Sequence, residues 1–221
     1  MRSLLSLMGI NLEAPDHTTL SRRSQRLDLA LSPPPANEPI HLVVDSTGLS
    51  IVGEGGWAAA RHGGGGRRGW RKLHLGVDRS GVIVAGTLTG GNVDDAKTAL
   101  DLIDEVGGDI RSVTADTAYD TIAIYGASAA RGAEVVVPPS KSSTRSRRRR
   151  SRSSARDRTI MSVKEIGLRQ WKKESGYHRQ ARVENTFFRY KTIIGPGLRA
   201  RVVSRKSPAV ISFMIPTDWT G

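Results

Sequence analysis

Residues 41–49 read HLVVDSTGL, an apolar run that delivers a carboxylate, Asp45, and then breaks at Ser46, Thr47 and Gly48. With Ile40 in front, IHLVVD has the apolar density of a strand buried in a sheet. An acid at the end of such a run is costly to bury unless something compensates its charge. Asp45 is therefore a candidate functional residue. Downstream, WRKLHLGVDRSGVIVAGTLT (70–89) predicts two strands joined by the turn DRSG, with Asp78 as a turn residue. NVDDAKTALDLIDEV (92–106) sets Ala99, Leu102, Ile103 and Val106 at helical spacing, and Asp94 and Asp95 near its start complement the helix dipole. SVTADTAYD (112–120) predicts a short strand ending in Asp116. TIAIYGASAARG (121–132) predicts a helix with a glycine stop, and EVVVPP (134–139) a strand stopped by prolines. The order strand, strand, strand, helix, strand, helix, strand suits an α/β domain without specifying which strands are neighbours.

Outside this block the composition changes. TTLSRRSQRLDLAL (18–31) predicts a short helix exposing Arg22, Arg23 and Arg26, and the prolines of SPPPANEP (32–39) forbid its continuation. A compact domain over 40–205 follows, with 1–39 as a helical segment and Pro-rich linker and 206–221 as a divergent tail. Lys141 to Arg158 holds nine basic residues and one acid, with almost nothing apolar, and predicts a disordered basic insertion over 140–160. SVKEIGLRQWKK (162–173) resumes an ordered pattern. In YHRQARVENTFFRYK (177–191) and just beyond it, Val183, Phe187, Tyr190 and Ile194 form an apolar stripe at helical spacing. Glu184 flanks the stripe, and Tyr177, Gln180, Phe188 and Lys191 are expected on its side of the helix.

The chain of 221 residues has a formal net charge of +13, which attracts polyanions over long range and makes nucleic acid the leading partner, ahead of an anionic membrane. No apolar run approaches the roughly 20 residues that span a bilayer. MRSLLSLMGI is broken by Ser6 and Gly9, so a cytoplasmic protein is expected. Cysteine is absent, which excludes disulfides and thiolate-bound metals and leaves oxygen-ligated cations.

Three carboxylates in a cationic chain suggest metal-dependent chemistry on nucleic acid. Two divalent cations roughly 4 Å apart stabilise both the attacking and the leaving oxygen of a phosphodiester displacement, and such ions need shared carboxylates. Asp45, Asp116 and Glu184 converge only if the strands bearing the two aspartates lie side by side.

Taken together, PDHTTLSRR, VDSTGL, WRKLHLGVD, ADTAYD, WKKESGYHR and RVENTFFRYKTIIG resemble the transposases of the IS5 group of bacterial insertion sequences, over residues 16 to about 202. These belong to the DDE class. The resemblance implies a ribonuclease H-like fold with a mixed central sheet flanked by helices. It also implies two Mg2+ or Mn2+ ions held by Asp45, Asp116 and Glu184 as catalytic residues and metal ligands. It further implies cleavage at the element's ends followed by attack of the freed 3′ hydroxyl on target DNA, with terminal inverted repeats and target DNA as partners and a homo-oligomer on DNA. Tyr177 and Lys191 would hold DNA beside the site. In the family signature an arginine stands where this chain has Gln180, with Arg179 and Arg182 nearby. Members of the group usually carry more chain before the position of Met1, so a shortened copy is expected. A stand-alone metal-dependent nuclease and a non-catalytic DNA-binding remnant are the competing functions.

Other residues have plainer readings. Asp120 is expected to cap a helix and His74 to pack in a strand. Trp57, Trp70 and Trp171 are expected in the core. Gly63 to Gly66 reads as a hairpin tip, and Arg61, Arg67, Arg68, Arg71 and Lys72 around it as contacts to the DNA backbone. Arg147 to Arg150 would attract any polyanion.

Overall fold

A computed structural model describes residues 38–51, 70–145, 154–193 and 195–198, together with Gly9. The HLVVDSTGL stretch lies in β1 (Ile40–Ile51), from which the sheet extends on both sides. On one side β2 (Trp70–Val77) and β3 (Ile83–Gly90) form an antiparallel meander. Asp78 closes its turn, where Oδ1 accepts from the Ser80 and Val82 amides at 2.8 and 2.9 Å. Gly81 at φ 88° supplies the left-handed residue the turn needs. On the other side β4 (Ile110–Thr114) runs parallel to β1, and β5 (Glu134–Val136) parallel to β4. The order is β3-β2-β1-β4-β5, and β6 (Gly197–Leu198) pairs with the far end of β1.

Helices cover both faces. α1 (Asp95–Glu105) carries the chain from β3 across to β4, capped by Asp94, which accepts from the Lys97 amide. α2 (Ile122–Ala130) joins β4 to β5. Strand alternation divides the core. Leu42 and Val44 pack with Leu102 and Ile103 of α1 and Ile124 of α2. Val43 and Leu49 pack on the opposite face with Val183, Phe187 and Tyr190 of α5 (Ala181–Ile193). Between α2 and α5 the chain forms α3 (Ala155–Ile166) and α4 (Leu168–Glu174), separated by Gly167 at φ 81°. Among the described residues no helix is long and apolar enough to cross a membrane.

Several expectations change. β4 ends at Thr114, not Asp116, because the Asp116 carboxylate turns back to accept from the Ala118 amide at 2.8 Å and starts a one-turn helix over Thr117–Tyr119. The basic insertion is shorter than 140–160: Ser154 caps α3 through the Asp157 amide, and burial of Ile160 anchors the helix. The helix of Glu184 does not reach Tyr177, since Tyr177–Gln180 form a separate 3-10 turn entered through Gly176 at φ 71°. Trp171 is buried as expected, but Trp70 is 54% exposed at the start of β2. The readings of residues 18–31, Trp57, residues 61–68, residues 147–150, Ile194 and residues 206–221 fall outside the described residues.

Leu102 is fully buried between α1 and the sheet. Leu102→Ala should lower unfolding free energy by about 2–5 kcal/mol in urea titration. A loss under about 1 kcal/mol would mean that α1 does not seal this face.

Candidate active site

β1 and β4 place the two aspartates. Their parallel register pairs Val43 with Thr114, so Asp45 and Asp116 each stand two residues past the last paired position on neighbouring strands. The side-by-side arrangement that convergence requires is therefore present. Lys191 at the end of α5 fixes the third acid: its Nζ donates to Thr47 Oγ1 at 2.7 Å, seating α5 on the β1 face shared by Val43, Asp45 and Thr47. Glu184 lies in the first turn of that helix.

The electrostatics show that the three acids share one field. Burial pushes the Asp45 carboxyl up to about 6; the charges of Asp116, Glu184 and Asp95 add to the rise, while the Ser46 amide at 2.7 Å opposes it. Burial also raises the Tyr177 phenol to about 12, with Asp116, Glu184 and Asp45 contributing. The Tyr119 phenol is raised by burial and then by Asp45, Asp95 and Asp116. Among the described residues none of Asp45, Asp116 and Glu184 has an ion-pair partner. Nor does any group of three His, Cys, Asp or Glu there surround a single point closely enough to hold one metal ion. The donors are nonetheless hard oxygens with uncompensated charge. That chemistry suits ions held by one or two carboxylates each and completed by water, as Mg2+ prefers.

The remaining expected contacts divide. The Tyr177 phenol lies within reach of the charges of all three acids, and Lys191 is bonded to Thr47 on the strand that bears Asp45. Lys172 sits over the Tyr177 ring at 4.7 Å from its centroid, and Trp171 lies beside it. Arg179 folds back over Gly176, where a Cβ would stand 2.6 Å from its Nη1; the arginine tip can move aside, so it is the φ of 71° that calls for glycine. Gln180 is buried at 4% exposure, and its Oε1 has no hydrogen-bond partner. It does not share Glu184's exposed side as its spacing suggested. Lys72, expected on DNA, instead donates to Asp95 Oδ1 at 2.9 Å and to the Val93 carbonyl at 3.0 Å. Its charge is already paired. Arg71 is partly buried opposite Gly90, with its Nε enclosed; Arg67 and Arg68 lie outside the described residues. His74 is buried as expected, bonded to Thr89 Oγ1 at 2.8 Å, with a pKa lowered by burial.

Sequence reasoning undervalued three residues. Asp95, read only as a helix-start acid, contributes to the fields at Asp45 and Tyr119. Thr47 is the seat of Lys191. Asp120 stands at the C-cap of the one-turn helix Thr117–Tyr119 while Thr121 caps α2, and beyond that expected role its carboxylate binds Arg156 through both oxygens. Only Thr47 carried a local sign, standing two residues after Asp45 on the same strand face.

The mixed sheet thus sets Asp45, within β1, and Asp116, just past β4, on neighbouring strands, with Glu184 on the helix packed against β1. A family model described as Transposase DDE domain matches residues 36–207, more than half of the chain, so the chain belongs to the transposase DDE domain family. A second model of the same description matches residues 1–54. No solved structure matches the chain significantly.

The raised Asp45 carboxyl has a consequence for stability. Its folded pKa, about 6, exceeds the ordinary 3.8, so the native state holds the extra proton and stability falls as pH climbs between those values. Asp45→Asn should therefore stabilise the metal-free protein by roughly 2–3 kcal/mol at pH 7.5. The gain should shrink toward zero near pH 4. Thermal unfolding of both proteins across this range checks it; a gain independent of pH would show that Asp45 carries no such burden.

Proposed function

We propose that this protein is a DDE transposase of the IS5 group, with a ribonuclease H-like catalytic domain, that cuts DNA at insertion-sequence ends and joins the freed 3′ end to target DNA. The observation supporting this reading is that β1 and β4 run side by side with Asp45 and Asp116 at neighbouring positions and Glu184 on the helix packed against β1, and that no cationic side chain is paired to any of the three among the described residues. The sheet order, an antiparallel meander β3-β2-β1 continued by parallel β4 and β5, supports the fold assignment.

Asp45, Asp116 and Glu184 would hold two Mg2+ or Mn2+ ions, with Asp45 between the other two in charge coupling. Such ions supply charge neutralisation at the phosphate and lower the pKa of the attacking hydroxyl. The chain's own residues position the DNA. Tyr177 keeps its proton at physiological pH because its pKa is about 12, so it can donate to a phosphate oxygen without adding charge. Lys191, anchored on Thr47, fixes the angle of α5 and hence of Glu184, and presents its ammonium to the backbone. Arg179, held over Gly176, takes the cationic role that the buried Gln180 cannot fill. Terminal inverted repeats and target DNA are the partners in this reading, and the protein would act as a homo-oligomer on paired ends.

The test is strand transfer of a pre-cut oligonucleotide carrying the terminal repeat into a supercoiled plasmid, with Mg2+ or Mn2+. Joined product should form with the intact protein and fall at least about a hundredfold in Glu184→Gln and Asp116→Asn. Joining that survives Glu184→Gln would overturn the assignment of that residue. Hydrolysis without joining would favour a nuclease, and salt-sensitive DNA binding indifferent to Asp45→Ala and to metal would favour a non-catalytic remnant.

A further inference from the structure

The turn that carries Asp116 is held at its far end by a buried charge outside the three acids. Asp120 is 1% exposed at its side chain, and both of its oxygens are engaged. Oδ1 accepts from Arg156 Nε at 2.7 Å. Oδ2 accepts from Arg156 Nη2 at 2.8 Å, from Ser143 Oγ at 2.5 Å and from the Ser140 amide at 3.0 Å. Arg156 Nη2 also donates to Ser143 Oγ at 2.9 Å, closing the cluster. A forked guanidinium on a carboxylate sets direction as well as distance.

The backbone transmits that placement. Between Asp116 and Asp120 the chain makes one tight turn, with the Tyr119 amide on the Asp116 carbonyl and the Asp120 amide on the Thr117 carbonyl. Within the turn the Asp116 carboxylate accepts from the Ala118 amide at 2.8 Å, and the Thr117 and Ala118 side chains are exposed. Its upstream end is tied to the sheet by the Ala115 amide on the Val136 carbonyl, at a long 3.4 Å. Downstream, buried Tyr119 and the Asp120 cluster are the anchors.

We propose that Asp120 is a positioning residue: through its fork with Arg156 it sets where the Asp116 carboxylate stands relative to Asp45, and so how well the trio holds divalent ions. This rests on the reading of the three acids as metal ligands. Residues that orient metal ligands from outside the ligand set typically change metal affinity by about 10–100-fold when substituted.

Mn2+ binding to the full-length protein, followed by electron paramagnetic resonance well below the unfolding temperature, tests this. Asp120→Asn should weaken Mn2+ binding about tenfold while DNA affinity in EDTA stays within about twofold. Arg156→Lys keeps the ion pair and the fold but loses the fork, and should weaken Mn2+ binding by a smaller factor. Asp120→Asn combined with Arg156→Gln restores a neutral hydrogen-bonded pair and should recover most of the affinity. A purely structural role would lower the melting temperature of the variants and leave Mn2+ affinity of the folded protein unchanged, and that result would overturn the proposal. If the unaltered protein bound no Mn2+, the metal-ligand reading would fall and the proposal with it. Normal binding there with unaffected variants would overturn the positioning role alone.

Discussion

The parallel pairing of β1 with β4 is the constraint on which the rest depends. A parallel neighbour requires a crossover connection, and α1 supplies it, packing Leu102 and Ile103 on the face that Leu42 and Val44 present. The opposite face of β1 is then left for α5. β1 is consequently central, buried on both sides and hydrogen-bonded to β2, β4 and β6. A shift of one residue in the β1–β4 register would turn Asp45 away from α5 and separate it from Glu184. The same pairing therefore governs the packing and the meeting of the acids.

That meeting is unfavourable by itself. Burial and three like charges hold Asp45 partly against its own ionisation, and both neighbouring phenols are driven toward permanent neutrality. The chain has abundant positive charge, with a net +13, and could have placed a lysine on the trio. Lys72 is instead bound to Asp95, Lys191 to Thr47 and Arg156 to Asp120. Each cation is fixed at the margin of the site, where it organises an element without cancelling the central field. Such an arrangement leaves stability unclaimed where like charges are gathered, as is common at functional sites.

Local rules recovered what is locally determined. The apolar run of β1, the Asp78 turn, the Asp94 cap and the Val183, Phe187 and Tyr190 stripe follow from spacing and turn chemistry alone. Strand adjacency did not follow, because no local pattern states that β4 lies beside β1 instead of β3. Lys72 with Asp95 and Asp120 with Arg156 are 23 and 36 residues apart, and a charge with a distant partner looks like a solvated one. The kink at Gly176 was hidden for another reason: the spacing from Tyr177 to Glu184 fits a continuous helix, and only the positive φ of Gly176 and the 3-10 turn after it break the pattern. The family match reaches the Transposase DDE domain without depending on any of these contacts.

Gln180 brings these strands of reasoning together. The 3-10 turn Tyr177–Gln180 contacts both β1 and β4, so a side chain buried from it lies near the strand ends that bear the aspartates. An arginine at this position would bring a permanent charge into an enclosed place, where it would need a carboxylate partner. The acids at hand are those of the site. Glutamine avoids that competition at the cost of an unpaired Oε1, and leaves the trio with less compensation than an arginine would provide. The cations of this neighbourhood are seated away from the trio, Lys191 on Thr47 and Lys72 on Asp95. Anchoring of α5 on the sheet is thereby separated from the balance of charge at the carboxylates.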